Sequence, residues 1–319
     1  MRFTYDLRRQ NHNRMRDALL SSRTGFYRNI HISVFAGTPW FKQNPALARY
    51  NLEEERWLVV ERPMVRAGKE LAAVGRAPRR AELGQMDGLD LHAQYHSGRT
   101  GGDFFDAVRV GPRVAFLLSD IAGRRLEADP IAAAMQNAFR AKAAELFGAG
   151  DANLMEGTEM LVQAVNLALI GAAKGGICFA PTLVGCYDAQ LGVLAYINAG
   201  GQTIALHDSD GARPLPNASL PLGLITHMTY EASMQAFEPG ARLLMVTKGV
   251  TLSKRGKHPF GAERVLKALQ GAKDEPARGV CHAVLKAAHD FEKRRGEWLT
   301  PWRKRVPEDM TALAMVRIA

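Results

Sequence analysis

Two groups of carboxylates in this chain are spaced to do chemistry. Asp103 and Asp106 lie in Gly101-Gly102-Asp103-Phe104-Phe105-Asp106, and Asp120 follows the apolar run Arg113 to Ser119 and opens Asp120-Ile121-Ala122-Gly123. Val114, Phe116, Leu117 and Leu118 favour a strand, which would set the separation of the two groups. Glycines on either side let the backbone come close to whatever the acids hold. Carboxylates gathered in this way repel one another unless a cation sits among them, and Mg2+ or Mn2+ is the usual answer. A metal centre is one reading. The other is that Asp103, Asp106 and Asp120 are ordinary turn residues, since Gly and Asp are common between strands.

The elements that must position these acids follow from periodicity. Leu89, Leu91, Ala93 and Tyr95 alternate with polar residues as in a half-buried strand, so the main domain opens near Met86. After Asp120 the period changes. Asp129-Pro130 reads as an N-cap and first helical residue, and Ile131, Met135, Ala138, Phe139, Ala143 and Leu146 recur at helical spacing before Gly148. A second helix has Met160, Leu161, Ala164, Val165, Ala168 and Leu169 on its apolar face and stops at Gly175-Gly176. Short strands are expected over 177–183, 191–198, 203–207 and 242–247, then helices over 266–269 and 280–291, and a terminal strand over 310–318. Strands, two helices, strands, helices and a last strand imply an α+β sandwich rather than a βαβ repeat. Upstream, Asn51 with Glu54 resembles a helix start, and Trp57 to Val60 with Leu71, Ala72 and Val74 read as helical faces around Pro63. Residues 75–80 read as a linker. The expected division is therefore a basic, helical extension and linker over 1–85 and one domain over 86–319.

Composition narrows the function classes. The 319 residues are 47% hydrophobic, enough for a full core, and no apolar run is long enough to span a bilayer. With no apolar signal core at the N-terminus, a cytoplasmic protein is expected. Three cysteines, Cys178, Cys186 and Cys281, show no CxxC spacing and indicate neither a disulfide framework nor a zinc site. The net charge of +10 favours acidic partners. Arginines crowd the first thirty residues, and Lys293-Arg294-Arg295 and Arg303-Lys304-Arg305 flank Trp298 and Trp302. Basic and aromatic residues together suit nucleic acid, but they equally suit a solvated face, and no nucleic-acid motif accompanies them.

With this order in view, the sequence resembles the PPM-type metal-dependent serine/threonine phosphatases, in the bacterial branch typified by stage II sporulation protein E. The matching landmarks are GGDFFD at 101–106, SDIAG at 119–123, YINAG at 196–200, TKGV at 247–250, FGAERV at 260–265 and EDMTALAM at 308–315. The resemblance implies an α-β-β-α sandwich of two antiparallel sheets flanked by helices, with a two-metal site at one edge between the sheets. It implies Mn2+ or Mg2+ as cofactor and a metal-activated water attacking phosphorus in line, without a covalent phosphoenzyme. By motif position Asp120 would bridge the ions, Ile121 would offer its carbonyl oxygen, Asp103 would hold an ion or its water, and Asp106 would support the turn or be structural. The partner implied is a phosphoprotein or regulatory protein, of the kind used in bacterial partner switching.

Four departures surround that site. Thr247-Lys248-Gly249 stands where the family has Thr-Asp-Gly, so a cation replaces a ligand acid; it could fill one ion's place, or point to solvent and leave the site merely weakened. Glu308-Asp309 replaces the usual Asp-Asp or Asp-Asn, so the ligand there is the longer Glu308, with Asp309 as substitute. Arg124-Arg125 follows Gly123 where Gly-His-Gly is common, and can bind phosphate or pair with nearby acids. Asn198-Ala199-Gly200-Gly201 lacks the family's following histidine. Two readings result: a pseudophosphatase whose fold serves as a regulatory binding module, and a phosphoserine/phosphothreonine phosphatase that works with a rearranged or single metal.

Overall fold

The computed structural model describes residues 30–31, 48–51, 56–59, 85–86, 88–96, 102–122, 125–174, 178–215, 219–293 and 309–318. The chain divides into two compact units, Met1–Glu70 with Gly175–Ile177, and Leu71–Lys174 with Cys178–Ala319. The first contains an antiparallel three-stranded sheet, β1 (Ile30–His31), β2 (Ala48–Asn51) and β3 (Arg56–Val59). This corrects the helix start expected at Asn51 and the helical face expected from Trp57. Tyr50 stands opposite Trp57 and Ala48 opposite Val59 in the ladder. Trp57 and Val59 are residue types that favour strands, and the backbone pairing outweighs a local capping signal.

The second unit has four layers. Its five-stranded sheet runs in the order β12-β9-β8-β7-β6. These are β6 (Asp103–Val110), β7 (Arg113–Asp120), β8 (Thr182–Asp188), β9 (Val193–Ala199) and β12 (Ser233–Ala236). The six-stranded sheet runs β11-β10-β13-β16-β5-β4. Here β4 is Gln85–Met86, β5 Leu89–His96, β10 Thr203–Asp208, β11 Gly211–Pro214, β13 Arg242–Val246 and β16 Met310–Arg317. All of these ladders are antiparallel.

Helices α1 (Arg125–Phe147) and α2 (Leu154–Ala172) cover the five-stranded sheet, and α4 (Gly261–Gly271) and α5 (Ala277–Lys293) cover the other. The one-turn α3 (Lys248–Leu252) and the hairpin β14 (Lys254–Arg255) and β15 (His258–Pro259) join β13 to α4. The period of two along β7 builds two cores from one strand. Ala115 and Leu117 pack under α1 and α2, while Val114, Phe116 and Leu118 fill the space between the sheets. The expected α-β-β-α sandwich is therefore the observed fold.

Local expectations needed three corrections. Helix α1 begins at Arg125, so Asp129-Pro130 is no cap, and Pro130 lies in the second turn. Its ring forgoes one early hydrogen bond, which the packed apolar face of the helix outweighs. Met160 is 41% exposed, whereas Val162 is buried beside Leu161 and Val165, which rotates the buried face of α2. Thr182–Asp188 is the strand expected to start at 177, because it must lie in register with β7 on one side and β9 on the other. The three cysteines are buried and unbridged, and burial pushes the Cys281 thiol up to about 12. The Trp298 and Trp302 region lies outside the described residues.

Candidate metal centre

Asp103, the first residue of β6, stands directly opposite Asp120, the last of β7. Strand ends are where side chains leave the packed interior yet keep a fixed backbone, and here the ends of both sheets meet. Asp103 is 3% exposed. Its Oδ2 accepts from Thr247 Oγ1 at 2.8 Å and from Thr311 Oγ1 at 2.7 Å, hydroxyls supplied by the opposite sheet. The two threonines are themselves locked, since Thr311 N donates to Thr247 Oγ1 and Thr247 N to Thr311 O, each at 3.0 Å. Thr247 is the N-cap residue of α3, but its hydroxyl makes no capping bond and is used on Asp103 instead.

Burial pushes the Asp103 carboxyl well above the usual carboxylate range, and the negative charges of Asp120 and Asp309 push it further; the two hydroxyls oppose the shift. A buried acid repelled by two neighbouring acids is stabilised by a cation, so the donor chemistry fits a divalent ion. Among the described residues, no three His, Cys, Asp or Glu side chains converge on one point closely enough to hold an ion together. Glu308 lies outside the described residues, as do the side chains of Arg124 and Arg125.

The backbone around Asp120 is closely held. Asp120 N donates to Pro181 O at 2.9 Å, Ile121 N to Gly102 O at 3.1 Å, and Ala122 N to Phe179 O at 3.2 Å. A Cβ on Gly102 would stand 2.1 Å from Ile121 O, so this carbonyl lies against the glycine backbone. Gly102→Ala is accordingly expected to cost about 1–3 kcal/mol of stability, read from a denaturant midpoint; an unchanged midpoint would show that the turn yields freely. Pro181 O also accepts from Gln202 Nε2 at 2.6 Å. At Gly200, φ is +107° and a Cβ would meet Pro181 Cα at 2.7 Å, so the YINAG turn buttresses the end of β7 only with glycine there.

Asp309 supports the other side of the same turn. Its Oδ1 accepts from Tyr95 OH at 3.0 Å and its Oδ2 from Gly102 N at 3.2 Å. Asp106 faces away from this cluster: it is fully buried and takes Arg140 Nε at 2.6 Å and Nη2 at 2.9 Å, tying β6 to α1. Lys248 follows Thr247 as the first, half-buried residue of α3. Sequence reading passed over Thr311, Tyr95 and Gln202. Only Thr311 left a signal, as the hydroxyl residue just after the Glu308-Asp309-Met310 run.

Residues 111–316 match the family model described as Stage II sporulation protein E (SpoIIE). The chain belongs to that family. Among curated proteins this SpoIIE-family chain resembles Protein IcfG of Synechocystis sp. (strain ATCC 27184 / PCC 6803 / Kazusa), with 24% identity over 210 residues, 59% of this chain and 33% of IcfG. It thus corresponds to about a third of that relative's length. Among solved structures it resembles the RsbU and RsbW domains of Rv1364c from Mycobacterium tuberculosis at TM-score 0.56 and 22% identity, covering 73% of this chain and 62% of that one. It also resembles the catalytic domain of the serine threonine protein phosphatase PstP in complex with two manganese ions, at TM-score 0.50 and 14% identity, covering 72% of this chain and 100% of that one. The SpoIIE-family fold here is thus that of PP2C-type phosphatase domains.

Proposed function

We propose that residues 86–319 form a PPM-type serine/threonine phosphatase-like domain with a reduced metal centre, which recognises a phosphorylated regulatory protein and turns it over slowly or not at all. Lys248 carries this reading. Thr247 binds Asp103 at 2.8 Å, so the residue after it begins α3 beside the acid cluster. An ammonium where the family pattern has a carboxylate removes a ligand and adds a positive charge at the edge of the cluster, which disfavours a second ion there while Asp120 and Asp309 still push the Asp103 carboxyl up. Asp103, Asp120 and the Ile121 carbonyl would hold the remaining Mn2+ or Mg2+, with Glu308 as a further ligand. Asp309, each of whose oxygens already takes a neutral donor, then positions the Gly102 turn. When bound, such an ion supplies charge neutralisation and an activated water at phosphorus.

The likeness to a chain carrying RsbU and RsbW domains supports a regulatory protein as partner, and the manganese complex of PstP supports the choice of ion. Among the described residues no helix is long and apolar enough to cross a membrane.

The test is Mn2+-dependent hydrolysis of p-nitrophenyl phosphate, with Asp120→Asn as blank. The wild type is expected to match the blank, and Lys248→Asp to add one bound Mn2+ by calorimetry and raise turnover by at least about tenfold. Wild-type turnover well above the blank, unchanged in Lys248→Asp, would assign an active phosphatase instead.

A further inference from the structure

We infer that the hairpin between α3 and α4 carries a second anion site, built by Arg255 and Arg264 on the ring of Phe291, which takes acidic side chains flanking the partner's phosphorylated residue. The phosphorylated partner rests on the proposed function; the site itself rests on other residues. The guanidinium carbons of Arg255 and Arg264 each lie 4.6 Å from the centroid of the Phe291 ring, so they stand no farther apart than twice that distance. Phe291 is held in turn by an edge contact with Phe260, ring centroids 5.6 Å apart, and both rings are buried.

Among the described residues neither guanidinium forms an ion pair. Arg264 Nη1 donates to Phe260 O at 2.7 Å and Pro259 O at 3.2 Å, which fixes its plane and leaves Nη2 and Nε for a ligand. The Arg255 guanidinium meets no hydrogen-bond acceptor among the described residues, while its backbone pairs with His258 across the hairpin. Around the hairpin turn the sequence is Lys254-Arg255-Gly256-Lys257-His258, cationic and without an acid. Fixed guanidinium forks with open donors suit carboxylate and phosphate oxygens.

The hairpin is also anchored to the metal-site edge. Phe260 N donates to Ser253 O at 2.7 Å and Ser253 Oγ to Gly249 O at 3.1 Å. Lys248 therefore lies one short helix away, about 7.5 Å along five helical residues. An extended peptide covers that span in two or three residues, at roughly 3.3 Å each. A phosphorylated residue at the acid cluster would place its close neighbours at the hairpin.

The test is fluorescence anisotropy of the full chain with a labelled peptide carrying one phosphoserine flanked by two glutamates on each side. Arg255→Ala/Arg264→Ala is expected to weaken binding at least about tenfold, and replacing the peptide's glutamates by glutamines to weaken wild-type binding equally but the double variant little. The glutamine peptide keeps the result decisive should the double variant melt early. Equal wild-type affinity for the glutamate and glutamine peptides overturns the site, as does absence of binding at low salt. A short single-stranded oligonucleotide that binds more tightly, with the same dependence on the arginines, overturns the protein partner in favour of nucleic acid. If serine in place of phosphoserine changes nothing while the glutamates still matter, this site stands and phosphate recognition at the acid cluster fails.

Discussion

Replacing Arg113 by methionine is expected to lower the unfolding free energy by about 3–5 kcal/mol, the range for breaking a buried ion pair from one side. Arg113 is 5% exposed and Asp188 1%. Arg113 Nε donates to Asp188 Oδ2 at 2.8 Å, Nη1 to Phe147 O at 3.0 Å and to Ala149 O, and Nη2 to Gly150 O at 2.9 Å. The carbonyls belong to the end of α1 and the loop toward α2. Helix α1 has no basic residue in its own last turn, so Arg113 supplies from β7 the positive charge that the negative end of the helix dipole favours. Without it, three carbonyls lose their donor. Among the described residues Asp188 then keeps only neutral partners, including Gln190 N and Leu191 N. Urea denaturation measures the loss. Arg113→Met/Asp188→Asn should recover part of it, because the second change removes the stranded charge. A single-variant loss below about 1 kcal/mol would show that water replaces the guanidinium readily.

The second large effect is a gain. Without metal, Asp103→Asn is expected to be more stable than the wild type at pH 7, by an amount on the order of 1–3 kcal/mol. The carboxyl of Asp103 is raised in the folded state by burial and then by Asp120 and Asp309, so between its ordinary and its raised value the folded chain holds a proton that the unfolded chain has lost. Stability is then full below the ordinary carboxylate range and falls as pH rises through the raised value. Asparagine has no proton to lose and can still accept from Thr247 and Thr311. The difference between the two proteins should therefore shrink as pH falls toward 4 and widen toward neutrality. Thermal melts across that range test it, and a constant difference would mean that Asp103 is not the group responsible. Excess Mn2+ should reverse the order at pH 7, since an ion bound only to the folded wild type stabilises it by mass action.

The alternation along β7, the acid that opens β6, the acid that closes β7 and the lysine after Thr247 are each local features, and all were legible in the sequence. So was the order of landmarks, whose family resemblance implied the sandwich. The N-terminal strands were misread because the helix-start signal at Asn51 and Glu54 spans four residues, whereas strand pairing is decided by a partner strand. Asp103 and Asp106 look alike in GGDFFD, three residues apart. Tertiary structure gives one to Arg140 on α1, 34 residues away, and the other to Thr247 and Thr311, 144 and 208 residues away. From sequence Asp309 is only an acid beside Glu308, whereas in the fold its Oδ1 accepts from Tyr95, 214 residues upstream. The sequence by itself determined which residue types stand at the strand ends and that a lysine follows Thr247. Only the fold decided which acids share a charge cluster and which are neutralised elsewhere, because a carboxylate's role depends on burial and on charges and donors brought to it from distant segments.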